Sequence, residues 1–251
     1  MASVIVFSCN QSKKEISKNA DMLADNLKGK AEQTIDSTYK ADSTGKIGEQ
    51  DSCCVVTQKY DENGYATENI SDNKKGTENY KTTFTHDDNG NIKSVKTTKN
   101  GKPLSSISIQ LDKDGKYSDA QSFDSTNKMD FYYTDLTQND YGQITSFKQF
   151  KPDSTLKMSV ASTFEKQLFT GNSVKDSSGK ETYSSKIKLD DKNNVGENAT
   201  KEVTKDSTTN KTIKYQYDSF DDKGNWTQRT EMDEKGKPVK IVKRTITYYK
   251  E

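Results

Sequence analysis

The sequence predicts a mainly β protein: a long antiparallel meander of about fourteen strands, preceded by one N-terminal helix. Two observations carry this prediction. A short turn motif recurs at a nearly regular interval, and apolar residues alternate with polar ones between the turns. Because twist accumulates across many strands, we expect a curled sheet, a trough or an open barrel, with full closure as a further alternative.

The recurring motif is an apolar or aromatic residue, Asp, two spacers, Gly or Asn, one spacer and a second apolar residue, and several copies are imperfect. Its six copies begin at Tyr60, His86, Leu111, Gln138, Leu189 and Phe220. Their turn residues lie at 64, 90, 115, 142, 193 and 224, so the steps are 26, 25, 27, 51 (about two periods) and 31. Gly supplies the positive φ of a tight turn and Asp bonds the loop backbone, so each copy predicts one hairpin.

The composition leaves little material for a core. Of 251 residues, 29% are hydrophobic and 31% are charged, and the mean hydropathy of −1.07 alone would suggest disorder. The net charge of only +1 and the strand spacing of Tyr, Phe, Val and Ile favour instead a thin sheet with one modestly apolar face. Balanced charge gives no reason to expect nucleic acid as a partner.

Residues 1–9 are an apolar run that ends in Val6-Phe7-Ser8-Cys9. This ending resembles a bacterial lipobox, which implies an acylated Cys9 at the mature N-terminus and a lipid anchor in the outer membrane. The run is short for a signal peptide and lacks a basic start. A buried strand containing a free cysteine is the alternative.

Residues 10–30 are predicted to form a tether and an amphipathic helix. Ser12-Lys13-Lys14-Glu15 matches a capping box, and Lys28-Gly29 supplies a stop. Between them lies one apolar stripe, made of Ile16, Ala20, Leu23 and Leu27. We expect a helix of about four turns that packs by this stripe on an end or face of the sheet, with a position on a membrane surface as the alternative.

Residues 31–251 are predicted to form a single hairpin-repeat domain. Turn dipeptides such as Asn89-Gly90 recur mostly every 11 to 15 residues, which leaves room for a strand and a turn but not for a helical crossover. Asn210 is one of the residues assigned to turns in the gaps between dipeptides. Adjacent strand residues point to opposite faces, so Cys53 and Cys54 are predicted to be unpaired strand residues.

The Tyr-Asp-x-x-Gly pattern, with closings such as Gly224-Asn225-Trp226 and Pro238 to Tyr249, resembles YD-type (Rhs-like) repeats. It resembles more closely the hairpin-repeat envelope lipoproteins of Bacteroidota, over roughly residues 31–251. The repeats here are longer than those of Rhs shells. The resemblance implies a cell-envelope lipoprotein. Surface-bound lipoproteins of that group carry acidic residues just after the cysteine, and this chain does not, so a periplasm-facing position is expected.

Asp-Ser-Thr occurs five times and resembles the acceptor motif that Bacteroidota use for O-glycosylation of exported proteins. The residues glycosylated under this hypothesis are Ser37, Ser43, Ser125, Ser154 and Ser207. The alternative is that Asp-Ser-Thr is favourable turn chemistry that the repeat copied.

No combination of residues predicts catalysis. The chain has one histidine, His86, no metal-binding spacing and no glycine-rich phosphate loop, so we expect a protein that is not an enzyme and has neither cofactor nor metal. Exposed aromatic residues can bind glycans or proteins, although on a thin sheet they first of all form the core. The candidate binding aromatics are Tyr132, Tyr133, Trp226, Tyr248 and Tyr249.

Two functions are compatible with these features. The first is a non-enzymatic, outer-membrane-anchored lipoprotein that acts as a binding or scaffold module for an envelope protein complex or a glycan. The second is a carrier of a lipid or another hydrophobic ligand on the concave face of the curled sheet. Thr, Ser and Gln interrupt the apolar face repeatedly, which favours the first.

Overall fold

The computed structural model describes residues 16–18, 20–42, 44–73 and 77–250, with the backbone only for residues 52–54. These residues form one short helix, α1 (Asp21–Ala24), and sixteen strands. The strands are β1 (Ala31–Ala41), β2 (Ile47–Tyr60), β3 (Ala66–Asn73), β4 (Asn79–His86), β5 (Ile92–Lys99), β6 (Lys102–Leu111), β7 (Tyr117–Asp124), β8 (Met129–Gln138), β9 (Ile144–Phe150), β10 (Leu156–Glu165), β11 (Leu168–Asp176), β12 (Glu181–Leu189), β13 (Val195–Val203), β14 (Thr208–Phe220), β15 (Trp226–Met232) and β16 (Pro238–Tyr248).

The sheet is a closed barrel. Each strand pairs antiparallel with its sequence neighbours, and β1 also pairs with β16. At this seam Arg244 donates two hydrogen bonds to the Asp36 carboxylate, each 2.7 Å long. Closure leaves no strand edge unpaired. The predicted antiparallel meander is therefore confirmed, while the expected open or curled sheet of about fourteen strands is wrong.

Two turns differ from the prediction: one was not predicted and adds a strand, and the other lies earlier in the chain than expected. A hairpin at Lys166-Gln167 joins β10 to β11, and Lys166 takes the positive φ (55°) that a glycine usually supplies. Gly142 and Asn193 are 51 residues apart, about two repeat periods, and the Lys166-Gln167 turn lies midway between them. It therefore occupies the position of a repeat turn but lacks the sequence motif. Asn210 lies inside β14, and the turn precedes it, closed by the bond from Thr204 N to Ser207 O (2.9 Å).

The helix is much shorter than expected, a single turn at Asp21–Ala24. Ala20 is extended (φ −65°, ψ 135°), and backbone N–H groups of this stretch donate to the barrel rather than to a preceding helical turn. Met22 N, for example, donates to Gly64 O at 3.1 Å. The apolar stripe nevertheless packs on the end of the sheet as expected, with Ala20 and Leu27 buried and Leu23 partly buried.

The two faces of the barrel wall differ in chemistry. Directly paired residues share a face, so one inward row runs across β4 to β8: Phe84, Val95, Ile107, Ser122 and Phe131. The adjacent outward row runs across β2 to β6: Lys59, Glu68, Thr83, Lys96 and Ser106. The inner face of the barrel is therefore mainly apolar and aromatic, with some polar residues, and the outer face carries charged residues together with Ser and Thr.

The two ends of the barrel also differ. The six repeat turns, together with the Lys166-Gln167 turn, all lie at one end, because alternate hairpins return to the same end. Residues 16–30, which we call the plug, cross this mouth and contact turns on opposite sides of its rim, at Asn63 and at Gln167. No described segment crosses the opposite mouth, which we call the open end.

Candidate functional site: the plugged end of the barrel

The repeat turns are built by their aspartates. In the β14–β15 turn, Asp221 Oδ1 accepts hydrogen bonds from the backbone N–H groups of Lys223 (3.0 Å) and Asn225 (2.8 Å), while Gly224 takes a φ of 81°. The same pattern recurs at Asp61, Asp87, Asp112 and Asp190. The turn chemistry predicted for the motif is thus present.

The position taken as the last spacer of the motif holds the plug. Asn225 is 3% exposed and forms a reciprocal pair with Lys28: it accepts from Lys28 N at 2.8 Å and donates to Lys28 O at 2.9 Å. In the neighbouring repeat, Asn194 accepts from Asn26 Nδ2 at 2.9 Å. In the first repeat, Tyr65 donates its hydroxyl to Ser17 Oγ at 2.7 Å. These side chains extend over the mouth, so the plug is held by the repeat itself.

The core sits at this end. Its buried apolar residues come from the plug and from the aromatic and small residues that flank the repeat turns: Ala20, Met22, Leu27, Ala31, Tyr60 and Ala66 form one cluster. Tyr65, Tyr117 and Trp226, which also flank repeat turns, are buried as well. The repeat motif therefore supplies both the turn and the cover of one barrel end.

An arginine and tryptophan cluster lies on the inner wall beside the plug. The guanidinium carbons of Arg244 and Arg229 lie over the ring of Trp226, at 3.7 and 4.8 Å from its centroid. Arg244 is paired with Asp36, and Arg229 contacts Glu231 at 3.1 Å. Trp226 is 6% exposed, so these contacts cover most of the indole. Cation–π contacts that exclude water in this way are stronger than those on a surface.

Asp25 extends from the plug toward the same wall and accepts a short hydrogen bond from the Tyr60 hydroxyl. Its carboxyl is surrounded by the barrel, although water can still reach it from the lumen. Burial raises its pKa above the usual 3.8, against the opposing effects of the Tyr60 hydrogen bond and the Arg244 charge. The pKa of the Tyr60 hydroxyl is also raised, first by burial and then by the charge of the neighbouring Asp25.

His86, the one histidine, lies on the far side of the plug. Its ring stacks on Tyr65 with centroids 5.1 Å apart, and its Nε2 is 3.5 Å from Asp21 Oδ2. The same Asp21 oxygen accepts from Ala66 N at 2.7 Å. No group of three or more metal-binding side chains occurs in the described part of the chain. The described contacts of His86, with Tyr65 and Asp21, join β4 to the first repeat turn and to the plug.

A cavity of about 230 Å³ lies between the plug and the inner wall of β11 to β16. Its apolar side includes Leu168, Ile187, Leu189 and Val195, and its polar side includes Asp25, Arg229 and Arg244. A pocket with an apolar wall and a few converging polar groups is typical of a small-molecule site.

The residues proposed from sequence are dispersed. Cys9 and Ser43 lie outside the described residues, and of Cys53 and Cys54 only the strand backbone is described. Ser125, Ser154 and Ser207 are exposed in open-end turns, whereas Ser37 lies within β1 on the outer face. Asp124 accepts from Thr126 N (2.8 Å) and Lys128 N (3.0 Å), which is the turn chemistry offered as the alternative. Glycosylation and lipidation stay predictions.

The five candidate aromatics do not form one surface. Tyr132 stacks on Phe150 on the outer wall (5.2 Å), while Tyr133 faces inward against Phe147 (5.7 Å). Trp226 belongs to the arginine cluster. Tyr248 donates to Asp221 and accepts from Asn225, and burial, followed by the Asp221 bond, raises the pKa of Tyr248 to about 12. The hydroxyl of Tyr249 donates to Tyr60 O at 2.7 Å.

Sequence reasoning missed Arg229 and Arg244, although a signal was present. The chain has 39 basic residues, and these two are its only arginines, every other one being lysine. Arginine stacks on aromatic rings and binds carboxylates in a bidentate manner, whereas lysine acts as a hydrated point charge. Such a strong bias toward lysine marks two positions where the flat guanidinium is required.

Fold and site together define a class: a closed antiparallel β-barrel with one end plugged by its own N-terminal segment. In fold it is similar to a porin-like protein from Bacteroides uniformis, with a TM-score of 0.54 and 12% identity over 88% of this chain and 98% of that chain. A porin-like protein from Bacteroides vulgatus matches with a TM-score of 0.36 and 9% identity over 87% and 98%. The Photorhabdus luminescens Tc holotoxin pore matches with a TM-score of 0.35 and 10% identity over 85% of this chain and 11% of that chain.

Of these three similarities, the first alone exceeds a TM-score of 0.5, and at 12% identity it shows the fold and nothing finer. No protein-family model matches the chain, and no curated protein matches it significantly. None of the helices in the described residues is long and apolar enough to cross a bilayer.

Proposed function

We propose that the chain is a non-enzymatic binding barrel of the cell envelope, which holds a small ligand inside its lumen and admits it through the open end. The observation that carries this proposal is the combination of an apolar, partly exposed inner wall with a plug that, as far as the described residues go, lies at one mouth. A barrel of sixteen strands is wide enough to keep water inside. A lumen closed at one end forms a chamber rather than a channel.

The outer wall supports a position in water rather than in lipid. Glu68 bridges Lys59 (2.9 Å) and Lys81, and Lys188 pairs with Glu197 at 2.6 Å. In a membrane barrel each outward lysine near the bilayer centre costs about 2–4 kcal/mol. Outward charges recur on many strands here. The outer wall therefore lacks the apolar band with which a membrane barrel faces lipid, although the fold is similar to that of a porin-like protein.

The envelope location rests on two features. The lipobox-like Val6 to Cys9 predicts a lipid anchor, and the solved barrel of similar fold from Bacteroides uniformis is described as porin-like. Cys9 and Ile16 are seven positions apart in the sequence, which allows a reach of at most about 25 Å. The plug enters at the closed end, so an anchor at Cys9 places that end near the membrane and turns the open end away from it.

The scaffold alternative has less support in the geometry. The large apolar side chains exposed among the described residues are Ile47, Leu104 and Phe169, and they belong to three different strands. Scattered apolar residues of this kind do not define a docking patch. The inner wall is the larger apolar surface, which favours binding inside the barrel.

The chamber is tested by binding of the neutral apolar dye Nile red. Wild-type protein should bind it saturably, and Ile107→Glu, which places a charge on the inner wall, should abolish binding. Ser106→Glu is the matched control, because it adds the same charge one residue away on the outer wall. Equal binding by both variants, or no binding by the wild type, would overturn the chamber.

The anchor is tested separately, by mass spectrometry of the mature protein isolated from native envelopes. An acylated Cys9 at the N-terminus is expected. An intact Met1 with a free thiol at Cys9 would contradict the envelope anchor and leave the chamber untouched.

A further inference from the structure

The cavity beneath the plug has an unusual charge arrangement for so lysine-rich a protein. Its charged lining residues are both arginines of the chain and one acid, Asp25. The partners of the arginines, Asp36 and Glu231, are not among the lining residues. The cavity itself therefore presents more positive than negative groups, next to an apolar wall.

Arg244 has little capacity for a ligand. Its Nε and Nη2 each donate to Asp36 at 2.7 Å, and its guanidinium lies over Trp226. A bidentate pair of this geometry satisfies the edge of the guanidinium that would otherwise bind a carboxylate. Arg244 therefore fixes the indole and the seam of the barrel.

Arg229 is different. Among the described residues its ion pair is with Glu231, through Nη2 at 3.1 Å, and its guanidinium also interacts with the Tyr217 side chain. Its Nε is buried without a hydrogen-bond partner, which is costly for a donor. An arginine has five N–H donors and no acceptor, and Arg229 lines the cavity, so donors remain for a second anionic partner. Tyr217, whose hydroxyl donates to Val195 O at 3.0 Å, lines the cavity beside it.

Another part of the cavity lining is apolar. Leu168, Ile187, Leu189 and Val195 line it on β11 to β13, and the arginines line it on β15 and β16. A volume of about 230 Å³ equals that of roughly eight water molecules at ~30 Å³ each. The space fits a short ligand with one charged end and one apolar end, and is too small for a polymer.

We propose that this cavity binds the head of an amphiphilic carboxylate, with the carboxylate on Arg229 and the apolar body along Ile187, Leu189 and Val195. The proposal deepens the binding-barrel function and rests on it, because the ligand must reach the cavity through the lumen. It assigns to Arg229 the selection of an anion and to the apolar wall the selection of an alkyl or aryl body.

The chain itself provides the reporter. Trp226 is its only tryptophan and lies in the cavity wall, so the tryptophan fluorescence, excited selectively over that of the tyrosines, comes from this site. Purified wild-type protein is titrated with octanoate and with octanol, which differ only in the head group. A saturable change with octanoate is expected, at a dissociation constant at least tenfold lower than that for octanol.

Substitutions then test whether Arg229 causes the preference for octanoate over octanol. Arg229→Gln should reduce the tenfold preference for octanoate to about onefold while octanol binding stays unchanged, and Arg229→Lys should keep part of the preference. Lys243→Gln is the matched control, because it removes a cation from the outer face of β16. It should leave the preference intact. Circular dichroism and the melting temperature establish that each variant is folded.

The wild-type comparison decides the proposal even where Arg229→Gln does not fold. Equal affinities for octanoate and octanol, no saturable change with either, or an unchanged preference in folded Arg229→Gln would each overturn it. If Nile red still binds, the chamber survives and only the carboxylate site is wrong. If Nile red also fails, the binding-barrel function fails with it.

Discussion

The two ends of the barrel are made from turns of similar chemistry but differ in packing. At the plugged end, several residues that flank the turns are buried, as Tyr60 is against the plug and Trp226 is beneath the two arginines. At the open end, the turn from Asp176 to Lys180 satisfies its own backbone through Asp176, and a Cβ on its Gly179 would meet nothing within 4 Å. One end is a core, and the other is a rim exposed to water.

This contrast shows that an Asp-x-x-Gly turn does not by itself create stability. The turn places its flanking residues, and burial of those residues supplies the free energy. Perturbations that are equal in local chemistry should therefore have unequal effects at the two ends.

The largest difference is expected for methionine. Met22 in the plug is fully buried, whereas Met158 lies half-buried on the inner wall near the open end. Met22→Ala should lower the free energy of unfolding by about 2–5 kcal/mol, through lost burial and the cavity it leaves. Met158→Ala should lower the free energy of unfolding by about 1 kcal/mol or less, because the Met158 side chain buries less apolar surface on folding than Met22 does. Urea unfolding curves of the two variants measure both values.

Glycines give a second matched pair. Gly90 at the plugged end and Gly179 at the open end have the same φ of 84°. A Cβ on Gly90 would meet the Tyr65 ring at 2.0 Å, whereas one on Gly179 would meet nothing within 4 Å. Gly179→Ala should lower the free energy of unfolding by about 1–2 kcal/mol, because alanine is strained in the left-handed backbone conformation. Gly90→Ala should lower it by about 1–3 kcal/mol more, because the added methyl group also overlaps the Tyr65 ring. Equal melting temperatures would show that the plugged end is not tightly packed.

The two ends should also respond to pH with opposite sign. Burial raises the pKa of Asp25, so the folded protein retains that proton better than the unfolded chain does. Stability from Asp25 is present below pH 3.8 and is lost as the pH rises through the folded pKa. Asp25→Asn should remove this loss.

At the open end, the hydrogen bond from Ser178 lowers the pKa of Asp176, together with backbone bonds. Stability from Asp176 is present above pH 3.8 and is lost as the pH falls through its folded pKa. Asp176→Asn should flatten that acid limb. Denaturation midpoints measured across pH 2–7 separate the two carboxylates, and identical pH profiles for both variants would contradict their assigned environments.

The smallest effect is expected on the outer wall. Lys188 pairs with Glu197 at 2.6 Å, but its side chain is 64% exposed. Lys188→Ala should change the free energy of unfolding by less than about 0.5 kcal/mol, because exposed ion pairs contribute little. A loss above 1 kcal/mol would mean that the outer wall is covered in the native protein.

Local features of the fold could be predicted from the sequence, and non-local ones could not. The motif at Phe220 to Trp226 identified a hairpin because its Asp and Gly act within seven residues. Closure depends on Asp36 and Arg244, which are 208 residues apart, and nothing in either sequence segment identifies the other. The Lys166-Gln167 turn was missed because lysine rarely takes positive φ.

The site was less accessible to prediction for the same reason. Trp226 was one of the candidate binding aromatics, and that role stays a prediction. Its contacts come from Arg229 on β15 and Arg244 on β16, and the plug lines the same cavity. The predicted capping box at 12–15 lies outside the described residues. From 16 onward the described residues form only one helical turn, because barrel turns offer the plug backbone hydrogen bonds that compete with helical ones. The pairing of β1 with β16 was the missing constraint.

That seam also sets the order of assembly. Fifteen of the sixteen pairings join sequence neighbours and can form as the chain is produced, while the β1–β16 pairing must wait for the last strand. Until then the sheet has two free edges, which are templates for aggregation. The Asp36–Arg244 contact has a far larger sequence separation than any hairpin contact, and bringing together such distant segments is slow. We therefore expect closure to be a late and slow step of folding, and a chain truncated before β16 to remain an unprotected sheet.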